Sequence, residues 1–221
     1  MTTSRRSLLA AGATGTVALT AGCLDFVLGN SPLEFTADRV APIDTALAET
    51  GYEKDDVDER SVEETVDIGV DREVRASLWV SVYAKELRDQ SHDASVFASI
   101  SAPAMEIGSR TINPLTDLSS RELLAEFLDE IEFDSGIEDL EYEDSTELEI
   151  LDEKRDVETF AGTTEYDGLE VDIEVVLTSF GHDDDLLVLL GSYPDFDDDP
   201  GVMTDEDENV ERLLQSVEHP V

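Results

Sequence analysis

Cysteine is almost missing from this chain: one residue, Cys23, in 221. A lone Cys excludes an internal disulfide framework and any multi-cysteine zinc or iron–sulfur site. Positive charge is nearly as scarce, with 14 Lys and Arg against 55 Asp and Glu and a formal net charge of −41. Nothing in such a composition neutralises a run of phosphates, which excludes nucleic acid as a sequence-independent partner. The same balance excludes electrostatic attachment to anionic lipid headgroups. Histidine is confined to His92, His182 and His219. None lies in H-E-x-x-H or has a second His at ligand spacing, so all three are expected in exposed turns or tails. No G-x-S-x-G elbow, phosphate-cradling glycine loop or dinucleotide fingerprint is present, so no cofactor is implied.

What the chain does have begins with an address. Ser4-Arg5-Arg6-Ser7-Leu8-Leu9 has the form of a twin-arginine export signal, and a small, apolar stretch runs from Leu8 to Ala21. A charged start, an apolar middle and small residues before a cut are the parts of such a signal. Leu19-Thr20-Ala21-Gly22-Cys23 resembles a lipobox, with Thr20 where Leu is commonest. Cleavage before Cys23 and lipid attachment to its thiol are therefore expected, giving a signal over 1–22, a lipidated connector over 23–38 and one domain over 39–221. The alternative is an uncleaved anchor, although the stretch is short and rich in Gly, Ala and Thr for a spanning helix.

The acidic bias covers the whole chain rather than one tail, and lysine is limited to Lys54, Lys85 and Lys154. Carboxylates nearly everywhere suggest a surface adapted to molar salt, where the Debye length is about 3 Å and mutual repulsion is screened. Intrinsic disorder is the rival explanation of such a charge. Periodic apolar segments decide for a folded halophilic domain.

Those segments alternate in type. Pro42 to Glu49, followed by Gly51, reads as a short helix. Strands are expected over 64–69, 73–86 and 94–101. In the second of these Leu78, Val80, Val82 and Ala84 share one face, and Trp79, Ser81, Tyr83 and Lys85 the other. Ser119-Ser120-Arg121-Glu122 has the form of a capping box, ahead of a helical face of Leu123, Leu124, Phe127, Leu128 and Ile131. Strands return at 147–152, 156–166 and 170–177, with Asp167-Gly168 as a tight turn. Leu186 to Leu190 reads as the most buried strand. Val210, Leu213, Leu214 and Val217 mark a closing amphipathic helix. This order predicts an α+β fold, an antiparallel β-sheet with helices packed on it.

Chemistry is harder to find. Asp195, Asp197, Asp199 and Glu206 stand at positions 1, 3, 5 and 12 of a calcium loop, yet Pro200 occupies position 6, where the turn asks for Gly. A solvated acidic loop explains the same residues, because near-matches arise readily in a chain this acidic. Trp79 and Tyr83 are expected to pack beneath a helix, with a ligand groove as the alternative.

Two resemblances follow from these motifs. Arg5-Arg6 with Cys23, the Glu49-Thr50-Gly51-Tyr52-Glu53 turn, the strand around Trp79 to Tyr83 and the Leu186 to Tyr193 strand ending in Pro194 make the chain similar to a family of uncharacterised haloarchaeal lipoproteins. That family has no established activity to carry over. Residues 94–217 are similar in layout to the PsbP-like fold, which implies an α/β/α sandwich and, by analogy, accessory or binding roles. The expected function is a non-catalytic binding or accessory module. It would be held at the extracytoplasmic face of the cell membrane by lipid on Cys23, with an envelope protein as a possible partner. The alternative is a hydrolase or metal-assisted enzyme built from dispersed carboxylates and His182.

Overall fold

The computed structural model describes residues 32–67, 71–86, 93–107, 110–111, 113, 115, 118–124, 137–166, 169–195 and 205–221. Strands dominate them. In chain order they are β1 (Leu33–Thr36), β2 (Ala41–Pro42), β3 (Glu53–Asp67), β4 (Asp71–Glu86), β5 (Asp93–Pro103), β6 (Glu106–Ile107), β7 (Arg110–Thr111), β8 (Ile137–Ile150), β9 (Glu153–Tyr166), β10 (Leu169–His182), β11 (Asp185–Pro194) and β12 (Val217–Glu218). Helices accompany them at α1 (Asp44–Thr50) and α2 (Glu206–Gln215), and residues 120–124 are also helical. The sequence predicted an α+β fold, an antiparallel sheet with helices packed on it; the described residues are mostly antiparallel β-sheet with few helices, a β-rich fold.

The described residues divide into two compact units, one within 32–35 and 61–76 and the other within 36–60 and 77–221. In the first, β1 and β3 each pair with β4, and Arg75 bridges Glu63 and Glu73 at 2.8 Å each. The second holds the sheet order β4–β5–β11–β10–β9–β8. Each neighbouring pair from β4 to β8 is antiparallel.

Period-two alternation explains the core of this second unit. All ten residues of β11 are buried. Leu187, Leu189 and Tyr193 join one apolar cluster, while Leu186, Val188 and Leu190 join the other. Successive side chains of a strand point to opposite faces, so a continuously apolar strand is what a sheet covered on both faces requires. The neighbours obey the same rule. Tyr83, Phe97, Val176 and Phe180 fall in the first cluster, and Val80, Ile100, Val175 and Leu177 in the second. The first cluster also takes Val210, Leu213 and Leu214 of α2 and Ala46 of α1. The second takes Leu123 and Leu124, from the helical residues 120–124. Each fully buried leucine contributes about 1.5–3 kcal/mol.

Local signals account for the ends of elements. Gly51 closes α1 at φ 80°, a left-handed conformation that costs glycine little. The capping box forms as expected: the Ser119 N–H donates to Glu122 Oε2 at 2.9 Å, and the Glu122 N–H reaches Ser119 Oγ at 3.4 Å. The Ser119 hydroxyl, donating to the same carboxylate oxygen at 2.6 Å, and then the Ser119 N–H hold the Glu122 carboxyl below the usual range. Phe127, Leu128, Ile131 and the Asp167-Gly168 turn lie outside the described residues, although Tyr166 and Leu169 on either side of that turn do pair.

Several boundaries differ from the sequence reading. Pro42 lies before its helix, pairing with Val217, which lies after α2. The strand expected at 64–69 begins at Glu53, and the one expected at 147–152 runs from Ile137 to Ile150. Leu151 and Asp152 instead form a two-residue turn with φ of 51° and 61°. Both extended strands are mostly exposed, and about half of their residues are acidic. Their few apolar residues, such as Ile137, Leu140, Leu148 and Ile150 of β8, are too sparse for sustained alternation, and their strand character comes largely from pairing with neighbours.

Candidate functional site

A hairpin and the chain's C-terminal tail bring the histidines together. β10 and β11 meet at Asp183-Asp184, whose φ values of 47° and 67° fit a tight type I′ hairpin turn. Asp tolerates this region better than most residues. The turn makes His182 and Asp185 direct cross-strand partners, so their side chains project from one face of the sheet. The tail reaches that neighbourhood because β12 pairs with β2, and the Val221 N–H donates to the Arg39 carbonyl at 3.0 Å.

His219 is thereby buried, its side chain only 1% exposed. Its Nε2 lies 3.2 Å from Asp185 Oδ2 and 3.2 Å from the Asp38 carbonyl oxygen. The Asp38 N–H donates to the same Asp185 oxygen at 2.8 Å. Burial pushes the Asp185 carboxyl up, and the Asp38 N–H and His219 partly offset it. His219 Nδ1 is buried with no hydrogen-bond partner among the described residues. The His182 ring stands edge-on to the His219 ring, 5.5 Å between centroids. His182 Nε2 is 3.5 Å from Asp183 Oδ2. His182, Asp183 and His219 each offer one ligand atom within 4.8 Å of the others. Sequence spacing alone hid this group, because His219 comes from the tail and His182 from a hairpin.

A second buried polar group sits at the start of α2. Glu206, 3% exposed, forms an ion pair with Lys85. It accepts from the Tyr52 hydroxyl at 3.1 Å and from Asn209 Nδ2 at 3.3 Å. Burial and then the Glu206 charge push the Tyr52 hydroxyl far up, so it stays protonated as a donor. The Lys85 ammonium lies 5.7 Å from the Tyr52 ring centroid, within cation–π range.

The other sequence candidates are scattered. Asp195 is exposed at the end of β11, its N–H bonded to the Asp172 carbonyl at 2.9 Å. Glu206 is committed to Lys85 and Tyr52, and Asp197 and Asp199 lie outside the described residues. Arg5, Arg6, Cys23 and His92 also lie outside them. Tyr83 is buried in the cluster that includes α2, 6.3 Å from the Phe97 ring, whereas Trp79 is only partly buried. Leu33–Thr36, within the expected connector, forms β1. Among the described residues no helix is long and apolar enough to cross a membrane.

No curated protein is similar enough to this chain to match it. A family described as a domain of unknown function, DUF6517, matches residues 39–218, and the chain belongs to that family.

Proposed function

We propose that this is an exported, lipid-anchored protein of a salt-adapted archaeon, whose DUF6517 domain serves as a non-catalytic binding or accessory module outside the membrane. The single observation that carries the reading is the only cysteine of the chain, placed after an apolar stretch headed by Arg5-Arg6. Residues 1–22 are the signal, Cys23 takes the lipid, and 39–221 is the working domain. One chain of lipid binds marginally whereas two hold stably, so a two-chain lipid is the fitting anchor. An envelope protein is the expected partner. In finer architecture the domain is an α+β sandwich of PsbP-like layout. That reading is supported by α2 contributing Val210, Leu213 and Leu214 to one cluster, and 120–124 contributing Leu123 and Leu124 to the other.

The test is membrane fractionation of the tagged chain. Cys23→Ser releases the protein into the soluble fraction; full retention in the membrane overturns lipid anchoring. Salt adaptation has its own measurement, since repulsion among 55 acids is screened only at high ionic strength. A cooperative thermal transition in molar KCl that vanishes in dilute buffer is expected, and equal transitions in both would sink it. A metal-assisted enzyme is the second reading, favoured by the approach of His182, His219 and Asp183. Turnover of a chromogenic ester or phosphoester that His182→Ala abolishes would establish it over the binding module.

A further inference from the structure

The protonation of His219 follows from its neighbours. Nε2 faces a carboxylate oxygen that already accepts the Asp38 N–H, and a backbone carbonyl that can only accept. Nε2 must therefore carry the hydrogen, and in the neutral ring Nδ1 is left with the lone pair. Among the described residues that nitrogen has no hydrogen-bond partner, in a side chain 1% exposed. A buried donor or acceptor without a partner is costly, and such groups call for a ligand.

The missing partner has a recognisable chemistry. Metal-bound histidines characteristically donate their other ring N–H to a carboxylate or backbone carbonyl, which fixes the ring and the tautomer. His219 has both, in Asp185 and Asp38. Ligands about 2.0–2.1 Å from a tetrahedral zinc ion stand about 3.3 Å apart, and His182 Nε2 and Asp183 Oδ2 are 3.5 Å apart. The two edges to His219 each lie within 4.8 Å, and His182 and Asp183, with side chains 24% and 72% exposed, are the partners with room to adjust. Two imidazoles and one carboxylate suit zinc and its late first-row neighbours, whereas calcium and magnesium prefer all-oxygen sets.

We propose that His182, Asp183 and His219 form a binding site for one divalent zinc-class ion, with Asp185 and the Asp38 carbonyl as positioning groups for His219. The ion's fourth position is open to water or to a donor from a partner. The site does not depend on how the chain is anchored, and its variants leave Cys23 untouched.

The experiment is titration of the full chain in mild detergent and molar KCl with Zn²⁺, followed by calorimetry. Excess Mg²⁺ occupies the carboxylate surface throughout. One Zn²⁺ per chain is expected. Co²⁺ substitution should give the visible absorption bands of a tetrahedral site. His182→Ala, at a partly exposed ring, should weaken binding at least tenfold while leaving the unfolding transition in place. Asp185→Asn should weaken it about 10–100-fold with the stoichiometry still one, as expected for a group acting through another. His219→Ala is the complementary variant, and His182→Ala decides the matter if that chain fails to fold. Absence of saturable one-to-one Zn²⁺ binding over Mg²⁺, or binding unchanged in His182→Ala, overturns the site and leaves His219 as a strap for the C-terminal tail.

Discussion

Glu206 and Asp185 are both buried carboxylates, 3% and 5% exposed, yet their surroundings differ. Glu206 is closed on itself: a lysine ion pair, a tyrosine hydroxyl and an asparagine amide occupy its oxygens. Asp185 has a backbone N–H and a histidine that carries no full charge unless protonated, and the chain of bonds runs outward to an unpartnered ring nitrogen. A closed network specifies how helix and sheet dock. An open one retains a lone pair that the fold itself does not use. The first is the signature of architecture and the second of a site.

Breaking the closed network should have the largest effect. Lys85→Met leaves the Glu206 carboxylate buried without its cation and should cost about 3–5 kcal/mol, read by denaturant unfolding in molar KCl. Lys85→Met with Glu206→Leu should recover most of that loss. A double variant as unstable as the single one would show that the charge pair is not what closes the network.

A smaller effect is expected where α2 rests on the sheet. A methyl group on Gly191 would collide with Val210 and come within 3.0 Å of Val176. Gly191→Ala should therefore cost about 1–3 kcal/mol by overpacking. The helix carries Glu206, so this substitution should disturb the Tyr52 environment, seen by tyrosine fluorescence. The His182–His219 pair should be spared, seen by imidazole NMR shifts. Equal disturbance of both would show the two networks to be one.

Smaller again is Asp185→Asn, which keeps an acceptor for the Asp38 N–H but weakens the charge-assisted bond to His219. About 1 kcal/mol is expected by thermal unfolding. A loss as large as that of Lys85→Met would make the open network as architectural as the closed one. The smallest effect belongs to Arg212→Ala. Its pair with Glu49 at 2.7 Å lies on the surface, with side chains 58% and 63% exposed, and screening leaves it within about 0.5 kcal/mol.

Legibility in the sequence tracked apolar patterning. Asp185–Pro194 and the 73–86 strand were readable because a sheet buried on both faces or alternating across one writes its periodicity into Leu, Val and Ala. The capping box at Ser119 and the glycine stop at Gly51 were readable because each is a local bond or a local torsion. The acidic strands 53–63 and 137–146 were not, since most of their side chains are polar and the pairing partner supplies the information. Glu206 illustrates the limit most directly. In sequence it completes an acidic calcium-like spacing, while in space it meets Lys85, one of only three lysines.

By itself the sequence determined the acidic surface, the single cysteine and its signal-like setting, the two-sided burial of β11 and the local ends of helices. These depend on composition or on residues a few positions apart, where sterics and hydrophobic periodicity act without knowledge of the rest of the chain. Only the tertiary structure decided that His219 meets His182 and Asp185, that Pro42 pairs with Val217, and that Lys85 neutralises Glu206. Those contacts join distant segments, and the hydrophobic effect that brings them together is non-directional. Packing the sheet's two faces, rather than any local signal, selects which polar groups share the buried space.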